Sequence, residues 1–172
     1  MQVPLVMTVI GQDRTGLVES VARLVAEHGG NWLESRMCRL GGEFAGILRV
    51  HVPAEKRAGL ESALGKLPGL TVVVRSDGAS ASPDTQQLAT MEVVGHDRPG
   101  IVREFTSALA ALGVNLEELS TECVSAPMSG ELLFQARAKL LLPGSVTVSA
   151  LRQSLERAVP GLTVEVALTD SK

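Results

Sequence analysis

The sequence predicts an α+β protein made of two tandem ferredoxin-like domains, each with the order β-α-β-β-α-β and an antiparallel sheet. The first observation is a repeat, in which Val9–Val18 (VIGQDRTGLV) returns as Val93–Val102 (VVGHDRPGIV). The second is that the register holds downstream, where Gly29–Glu34 (GGNWLE) returns as Gly113–Glu118 (GVNLEE). The third is that strand and helix periodicities alternate in the same order in both halves. Each copy must therefore be one structural unit.

The first half contains six elements in order. An apolar strand is followed by a helix, which Asp13 or Thr15 can start and Gly29-Gly30 ends. A hairpin with a Gly41-Gly42 turn comes next, and apolar and polar residues alternate in its returning strand. Pro53 opens a second helix, and Pro68-Gly69 breaks it before a last β-branched strand. The predicted strands are Leu5–Ile10, Asn31–Leu40, Phe44–Val52 and Leu70–Val74, and the stripe of the first helix is Leu17, Val18, Val21, Leu24 and Val25.

The second half repeats this order after a polar segment rich in Gly, Ala, Ser and Pro, Asp77–Gln87. We therefore assign residues 1–77 to the first domain, 78–86 to a linker and 87–172 to the second domain. The turn of the second hairpin is longer and spans Ser125–Gly130. The predicted elements are strand Leu88–Val94, helix Pro99–Leu112, strands Asn115–Val124 and Leu132–Leu142, helix Val146–Val159 and strand Leu162–Leu168.

Composition excludes several classes of protein. The net charge is −3, Tyr is absent and aromatic residues make up 2% of the chain. Neither the basic surface nor the stacking platform of a nucleic-acid-binding protein is therefore expected. No apolar run is long enough to span a membrane and no signal peptide is recognisable, so we expect a cytoplasmic protein. Cys38 and Cys123 lack metal-type spacing, and we expect two buried thiols on opposite faces of equivalent strands.

Apolar residues on both faces of the predicted strands indicate that one sheet face or edge is covered. This pattern is suggested by Leu5, Met7 and Val9 and by their counterparts in the second copy. A small domain with an uncovered apolar face exposes a patch that soluble monomers avoid. We therefore expect a homodimer or a larger homo-oligomer.

The repeated loops, Gly11–Gly16 and Gly95–Gly100, are the candidate ligand sites. Each lies between a strand and a helix start, where free N–H groups and the positive end of the helix dipole favour a carboxylate. Gly16 and Gly100 would let a ligand approach the backbone. Two further interpretations stay open from the residues alone: Asp13 and Asp97 cap their helices, or the glycines only permit tight packing.

Other polar residues near these loops have more than one possible role. Asn31 and Asn115 start the next strand of each copy, at the far end of the helix, so they can meet a loop only across an interface. Arg14 and Arg98 can bind a carboxylate bidentately or form ion pairs, and His96 can touch a ligand or stay exposed. No arrangement of side chains indicates a catalytic or metal site, so we expect neither an enzyme nor a cofactor.

The repeated D-R-x-G-[LI]-V after an apolar strand, the later G-x-N and the element order resemble the ACT domain, a module that binds amino acids. Within that group the chain is similar to the glycine cleavage system transcriptional repressor family, through Val9–Arg14, Glu34–Arg36, Leu40–Phe44 and the longer second hairpin. The resemblance implies regulation without catalysis, with effectors held at domain interfaces. It implies that the ligand-binding residues are Gln12, Asp13, Arg14, Thr15, Gly16 and Leu17 with Asn31, and His96, Asp97, Arg98, Pro99, Gly100 and Ile101 with Asn115.

The resemblance also implies a partner and an effector. The partner is a LysR-type activator protein, the effector is glycine or another small amino acid such as serine, and direct binding to nucleic acid or membrane is not expected. The chain departs from the family in Thr15, where Pro is commoner, and in the bulky Trp32. The second loop is for this reason the favoured site, since it keeps Pro99 and has Leu116 in place of the Trp.

Two further hypotheses remain at this stage. The chain could be the ACT regulatory subunit of an amino-acid or one-carbon metabolic enzyme, or a structural dimerisation module whose loops bind nothing. Gene neighbourhood or a pull-down would separate the regulatory subunit from a regulator of transcription. Ligand binding would separate these two from the dimerisation module.

Overall fold

The computed structural model describes residues 1–78, 86–126 and 130–169. The chain divides into two compact units, Met1–Ser80 and Ala81–Lys172. Each unit has the order β-α-β-β-α-β, as the sequence predicts. The elements of the first unit are strand β1 (Gln2–Gln12), helix α1 (Leu17–Glu27), strands β2 (Asn31–Leu40) and β3 (Glu43–Pro53), a 3-10 turn (Ala54–Lys56), helix α2 (Arg57–Leu64) and strand β4 (Leu70–Ser76).

The second unit repeats these elements without the 3-10 turn. They are strand β5 (Gln86–His96), helix α3 (Ile101–Ala111), strands β6 (Asn115–Ser125) and β7 (Leu132–Pro143), helix α4 (Val148–Ala158) and strand β8 (Thr163–Leu168). The strand orders are β2-β3-β1-β4 and β6-β7-β5-β8, and all pairs are antiparallel. The predicted α+β fold class is therefore confirmed in both halves.

Each unit has its own hydrophobic core between one sheet face and its helices. In β1, Leu5, Met7 and Val9 are fully buried, and every second residue faces away from the core. The helix stripe is narrower than predicted, because Val18 is 41% exposed while Leu17 and Val21 are buried. Among the described residues no helix is long and apolar enough to cross a membrane.

The repeat extends to a feature that the sequence did not predict. The pairing of β2 with β3 shifts between Trp32 and Glu34, and that of β6 with β7 shifts between Leu116 and Glu118. The two sheets thus carry the same β-bulge, which adds a residue to the edge strand and bends it.

The predicted linker extends too far at its C-terminal end, because β5 already begins at Gln86. Residues 79–85 lie outside the described part of the chain, but Gln86 and Gln87 already belong to β5 and pair with Pro143 and Leu142. Backbone pairing with β7 places these two glutamines in a strand, although polar side chains had indicated a linker there. In the longer second hairpin, residues 127–129 lie outside the described part, and the Ala126 N–H donates to the carbonyl oxygen of Glu131 at 2.8 Å.

The prediction of buried thiols is wrong, because Cys38 and Cys123 are both exposed. Their faces do differ as expected, since Cys38 pairs with half-buried Ala45 and Cys123 with buried Phe134. The strands β2 and β6 lie at sheet edges. Few neighbours cover a side chain there on either face.

Candidate functional site

Both candidate loops turn into their helices through a glycine in the left-handed conformation. Gly16 has φ 83° and Gly100 has φ 89°, and each is the N-cap residue. A side chain in this region costs about 1–2 kcal/mol. A Cβ atom at Gly16 would meet no atom within 4 Å, so the approach to the backbone is open there.

The other repeated glycines have a different role. A Cβ atom at Gly11 would lie 2.2 Å from the carbonyl oxygen of Gly69, and one at Gly95 would lie 2.6 Å from a methyl carbon of Leu162. Tight packing therefore explains this pair, while backbone conformation explains Gly16 and Gly100.

The aspartates do not cap their helices, which removes one of the interpretations left open by the sequence. Neither α1 nor α3 has a side-chain cap. The Asp13 carboxylate instead contacts Arg39 Nε at 2.5 Å, and the Asp13 N–H donates to the carbonyl oxygen of Gly42 at 2.9 Å. Asp13 thus ties the loop to the hairpin of its own unit.

Asp97 meets a cysteine where Asp13 meets an arginine, because Cys123 is the repeat counterpart of Arg39. The pKa of the Cys123 thiol is raised, mainly by partial desolvation and further by the charge of Asp97 and a hydrogen bond to it. Sequence reasoning missed both contacts, although the repeat register already aligned Cys123 with Arg39.

The helix start differs from the prediction at Thr15 and Pro99. Both residues precede the N-cap glycine, so neither occupies the first helical position. That position belongs to Leu17 and Ile101, which are each only 4% exposed. Their side chains fill the cores, and their N–H groups donate to the carbonyl oxygens of Arg14 and Arg98 at 3.4 Å.

The two arginines of the loops have different partners. Arg14 donates to the carbonyl oxygen of Pro68 at 2.9 Å. Arg98 donates from Nη1 to Glu104 Oε1 at 2.8 Å, and its Nη2 contacts Glu104 Oε2. These hydrogen bonds raise the pKa of Arg98 and lower that of Glu104. The repeat counterpart of Glu104 is Ser20, whose hydroxyl donates to the carbonyl oxygen of Gly16 at 2.8 Å.

Spacing along the chain does not predict the Arg98–Glu104 pair, since a spacing of six residues is not a helical one. The Glu104 carboxylate occupies the guanidinium fork of Arg98, which confirms the ion-pair role for Arg98 that the residues had left open. The second loop therefore carries an internal carboxylate that the first loop lacks.

Gln12 and His96 are the last residues of their strands. Gln12 pairs with Glu43, and His96 pairs with Leu133. The His96 side chain is 71% exposed, and its Nδ1 lies 3.7 Å from a carboxylate oxygen of Glu131.

The asparagines lie at the opposite end of each sheet from the loop. Asn31 pairs with His51, whereas Gln12 pairs with Glu43 on the same strand. Eight residues of strand separate these positions, which is about 27 Å. The structure therefore does not bring Asn31 or Asn115 to the loop of its own unit. The Asn115 side chain donates to Glu117 at 3.4 Å.

Two other features lie away from the loops. An open groove of about 430 Å³ runs between α4 and β8, lined by residues that include Val148, Arg152 and Val166. In the described ranges, no cluster of His, Cys, Asp or Glu has the geometry of a metal site.

Comparison with known proteins identifies the type of the first unit. Residues 3–73 match the sequence model of the ACT domain family. The first unit is therefore an ACT domain, and the second unit repeats its fold.

Relatives align with nearly the whole chain. The chain is 28% identical over 165 residues to the glycine cleavage system transcriptional repressors of Escherichia coli K12 and Shigella flexneri, which covers 94% of this chain and 85% of each relative. A crystal structure of an unknown protein from Galdieria sulphuraria is 30% identical, with a TM-score of 0.86 over 99% of this chain and all of that one. A candidate glycine cleavage system transcriptional repressor of known structure is 20% identical and has the same fold, with a TM-score of 0.71 over 99% of both chains.

Proposed function

We propose that this ACT-domain protein is a regulator of transcription that senses a small amino acid, glycine or serine first, and acts through a partner protein rather than on DNA. The observation that carries the proposal is the left-handed glycine at two equivalent helix N-termini, with an open approach to the backbone at Gly16 and the Glu104 carboxylate 3.8 Å from a Cβ atom placed at Gly100. Helix N-termini bind carboxylates through free N–H groups and the helix dipole. The similarity to the Escherichia coli repressor supports a regulatory rather than a catalytic role.

The amino-acid site is proposed to form between subunits of a homodimer or larger assembly. Each loop would take the effector carboxylate, and Asn31 or Asn115 of a neighbouring domain would take the ammonium group. Support for an interface site comes from the separation of about 27 Å between loop and asparagine within a unit. The asparagine needs a second domain to reach an effector.

A melting screen over the twenty amino acids tests the sensing proposal. We expect glycine or serine to raise the melting temperature, and calorimetry on the active compound to give a binding constant. Asn115→Ala should weaken binding, while Ser120→Ala on the same strand is the control. If none of the twenty binds at millimolar concentration, the sensing proposal fails.

The partner proposal needs its own measurement. The candidate partner is an activator of the LysR type from the same genome. Fluorescence anisotropy with each purified activator, with and without the effector, should show a complex that the amino acid weakens. Capture of a metabolic enzyme in place of any activator would instead support a regulatory subunit.

A further inference from the structure

The face of the first sheet that points away from the helices is apolar and exposed. We define the open face by Val6, Thr8, Ile10, Ala45, Ile47 and Val73, which alternate with core residues along β1, β3 and β4. Thr8 pairs with Ile47 on one side and with Val73 on the other. Ile10, Ile47 and Val73 are 47%, 56% and 48% exposed.

The second sheet provides an internal comparison for this face. Glu92 stands at the counterpart of Thr8, Arg137 at that of Ile47 and Glu165 at that of Val73. Glu92 pairs with Arg137 and with Glu165, and Arg137 Nε lies 3.4 Å from a Glu92 carboxylate oxygen. The same fold position is therefore charged in one unit and apolar in the other. Because the fold does not require an apolar face here, the apolar residues of the first unit indicate a surface that is covered.

Several charges at the rim of the open face are paired within the first unit, and Arg75 lies opposite Val6 on the same face. Arg49 lies 2.6 Å from Asp77 and 3.6 Å from Glu34, and Glu34 lies 3.7 Å from Arg36. Because the rim contains both signs of charge, its charges do not favour a strongly acidic or a strongly basic partner. An apolar centre inside a polar, Arg-containing rim is typical of a protein–protein interface.

We propose that the open face packs against the open face of a second copy of this chain, about a twofold axis. Such a contact is self-complementary, since Ile47 and Val73 meet the same apolar centre on the partner. The corresponding face of the second unit is a poor occupant, because covering the open face with it would bury Glu92, Arg137 and Glu165. Removing these charges from water costs more than their mutual attraction returns.

The size of the open face is compatible with a reversible dimer. Three strands about 4.8 Å apart, and about six residues along each strand, give a planar area of about 300 Å² per copy. Two copies then cover about 600 Å² before side-chain relief is counted, which is below the roughly 1,200 Å² of stable complexes and in the range of weak, transient contacts. We therefore expect a weak, reversible dimer with the two sheets about 10 Å apart.

Substitution with the residues of the second unit tests this contact. Thr8→Glu together with Ile47→Arg reproduces the Glu92–Arg137 pair, which the same fold already accommodates. Light scattering over a concentration series should give twice 18.1 kDa for the wild type and 18.1 kDa for the double variant. Circular dichroism checks that the double variant is folded, and Glu92→Gln with Arg137→Gln, which keeps the second face polar, is the control that should leave the dimer unchanged.

A cross-link locates the interface. In a Cys38→Ser, Cys123→Ser background, Ile47→Cys should be joined to its copy by a bis-maleimide cross-linker that spans the gap between the two sheets, which is too wide for a disulfide, and Arg137→Cys should not be joined. A monomeric wild type at 100 µM overturns the proposal, as does a dimer that survives the folded double variant. Both measurements are made without an amino acid. A protein that binds none of the twenty amino acids therefore leaves this result unaffected, whereas a monomeric wild type would also remove the proposed site between subunits.

Discussion

At the residue scale, the substitution of Glu104 for Ser20 between the two copies changes what each loop offers a ligand. Arg98 is held in a bidentate contact by Glu104, whereas Arg14 donates to a backbone carbonyl oxygen. An incoming carboxylate must compete with Glu104 in the second loop only. The preference for the second loop, drawn from Pro99 and from the bulk of Trp32, did not include this competition. Trp32 itself packs against the core of its own unit.

Exchanging these two residues should exchange the behaviour of the loops. We expect Glu104→Ser to strengthen amino-acid binding at the second loop about two- to fivefold, the range of an exposed ion pair. Ser20→Glu should weaken binding at the first loop by a similar factor. Calorimetry of both variants against the wild type measures this, and unchanged binding in both would show that Glu104 does not compete.

The Arg98–Glu104 pair also predicts a pH dependence. The pKa of Glu104 is lowered, chiefly by the hydrogen bond from Arg98. A carboxyl with a depressed folded-state pKa stabilises the fold above its unfolded value of about 4.3, and loses this contribution as pH falls through the folded-state pKa. Carboxyl NMR should find Glu104 titrating below the ordinary glutamate range, and Arg98→Ala should restore the ordinary value. Equal titration in wild type and variant would contradict the pair.

At the scale of elements, glycine rather than a side-chain cap starts α1 and α3. The left-handed turn redirects the chain from the strand into the helix and leaves the first N–H groups of the helix accessible. By contrast, α4 begins in the ordinary way, with the Thr147 hydroxyl accepting from the Ala150 N–H at 3.2 Å. Helices α1 and α3 thus share a glycine start, whereas α4 starts with a side-chain cap.

Two glycine substitutions should therefore have opposite effects on stability. Gly16→Ala should lower the free energy of unfolding by about 1–2 kcal/mol, because φ is 83° there. Gly65→Ala should raise it by about 0.4–1 kcal/mol, because φ is −63° and the added Cβ atom would meet nothing closer than 3.5 Å. Urea unfolding measures both.

At the scale of the whole molecule, charge is distributed unequally over the sheet faces of the two units. The first unit exposes an apolar face with an ion-paired rim, and the second unit exposes glutamate, arginine and lysine at the counterpart positions. The net charge of the chain is −3. We therefore expect the apolar face of the first unit to contact protein and the charged face of the second unit to contact solvent. Neither face is expected to bind nucleic acid.

Purified protein alone should not shift a duplex DNA in a gel at physiological salt. A negative chain repels the phosphate backbone, which dominates the affinity of DNA-binding proteins. The measurement is a titration to micromolar protein with a promoter fragment and with an unrelated duplex. A shift confined to the promoter would contradict action through a protein partner.

The amino-acid sequence by itself determined the repeat, the order of elements and the two candidate loops, because periodicity and turn residues are local properties. The bounds of β2 were predicted without error, since its asparagine start and Gly-Gly end are local signals. Only the tertiary structure decided that the loop aspartates are not caps, that Glu104 holds Arg98, and that both cysteines are exposed. Each of these depends on which residues pairing and packing bring together across the sheet, and that information is not contained in the spacing along the chain.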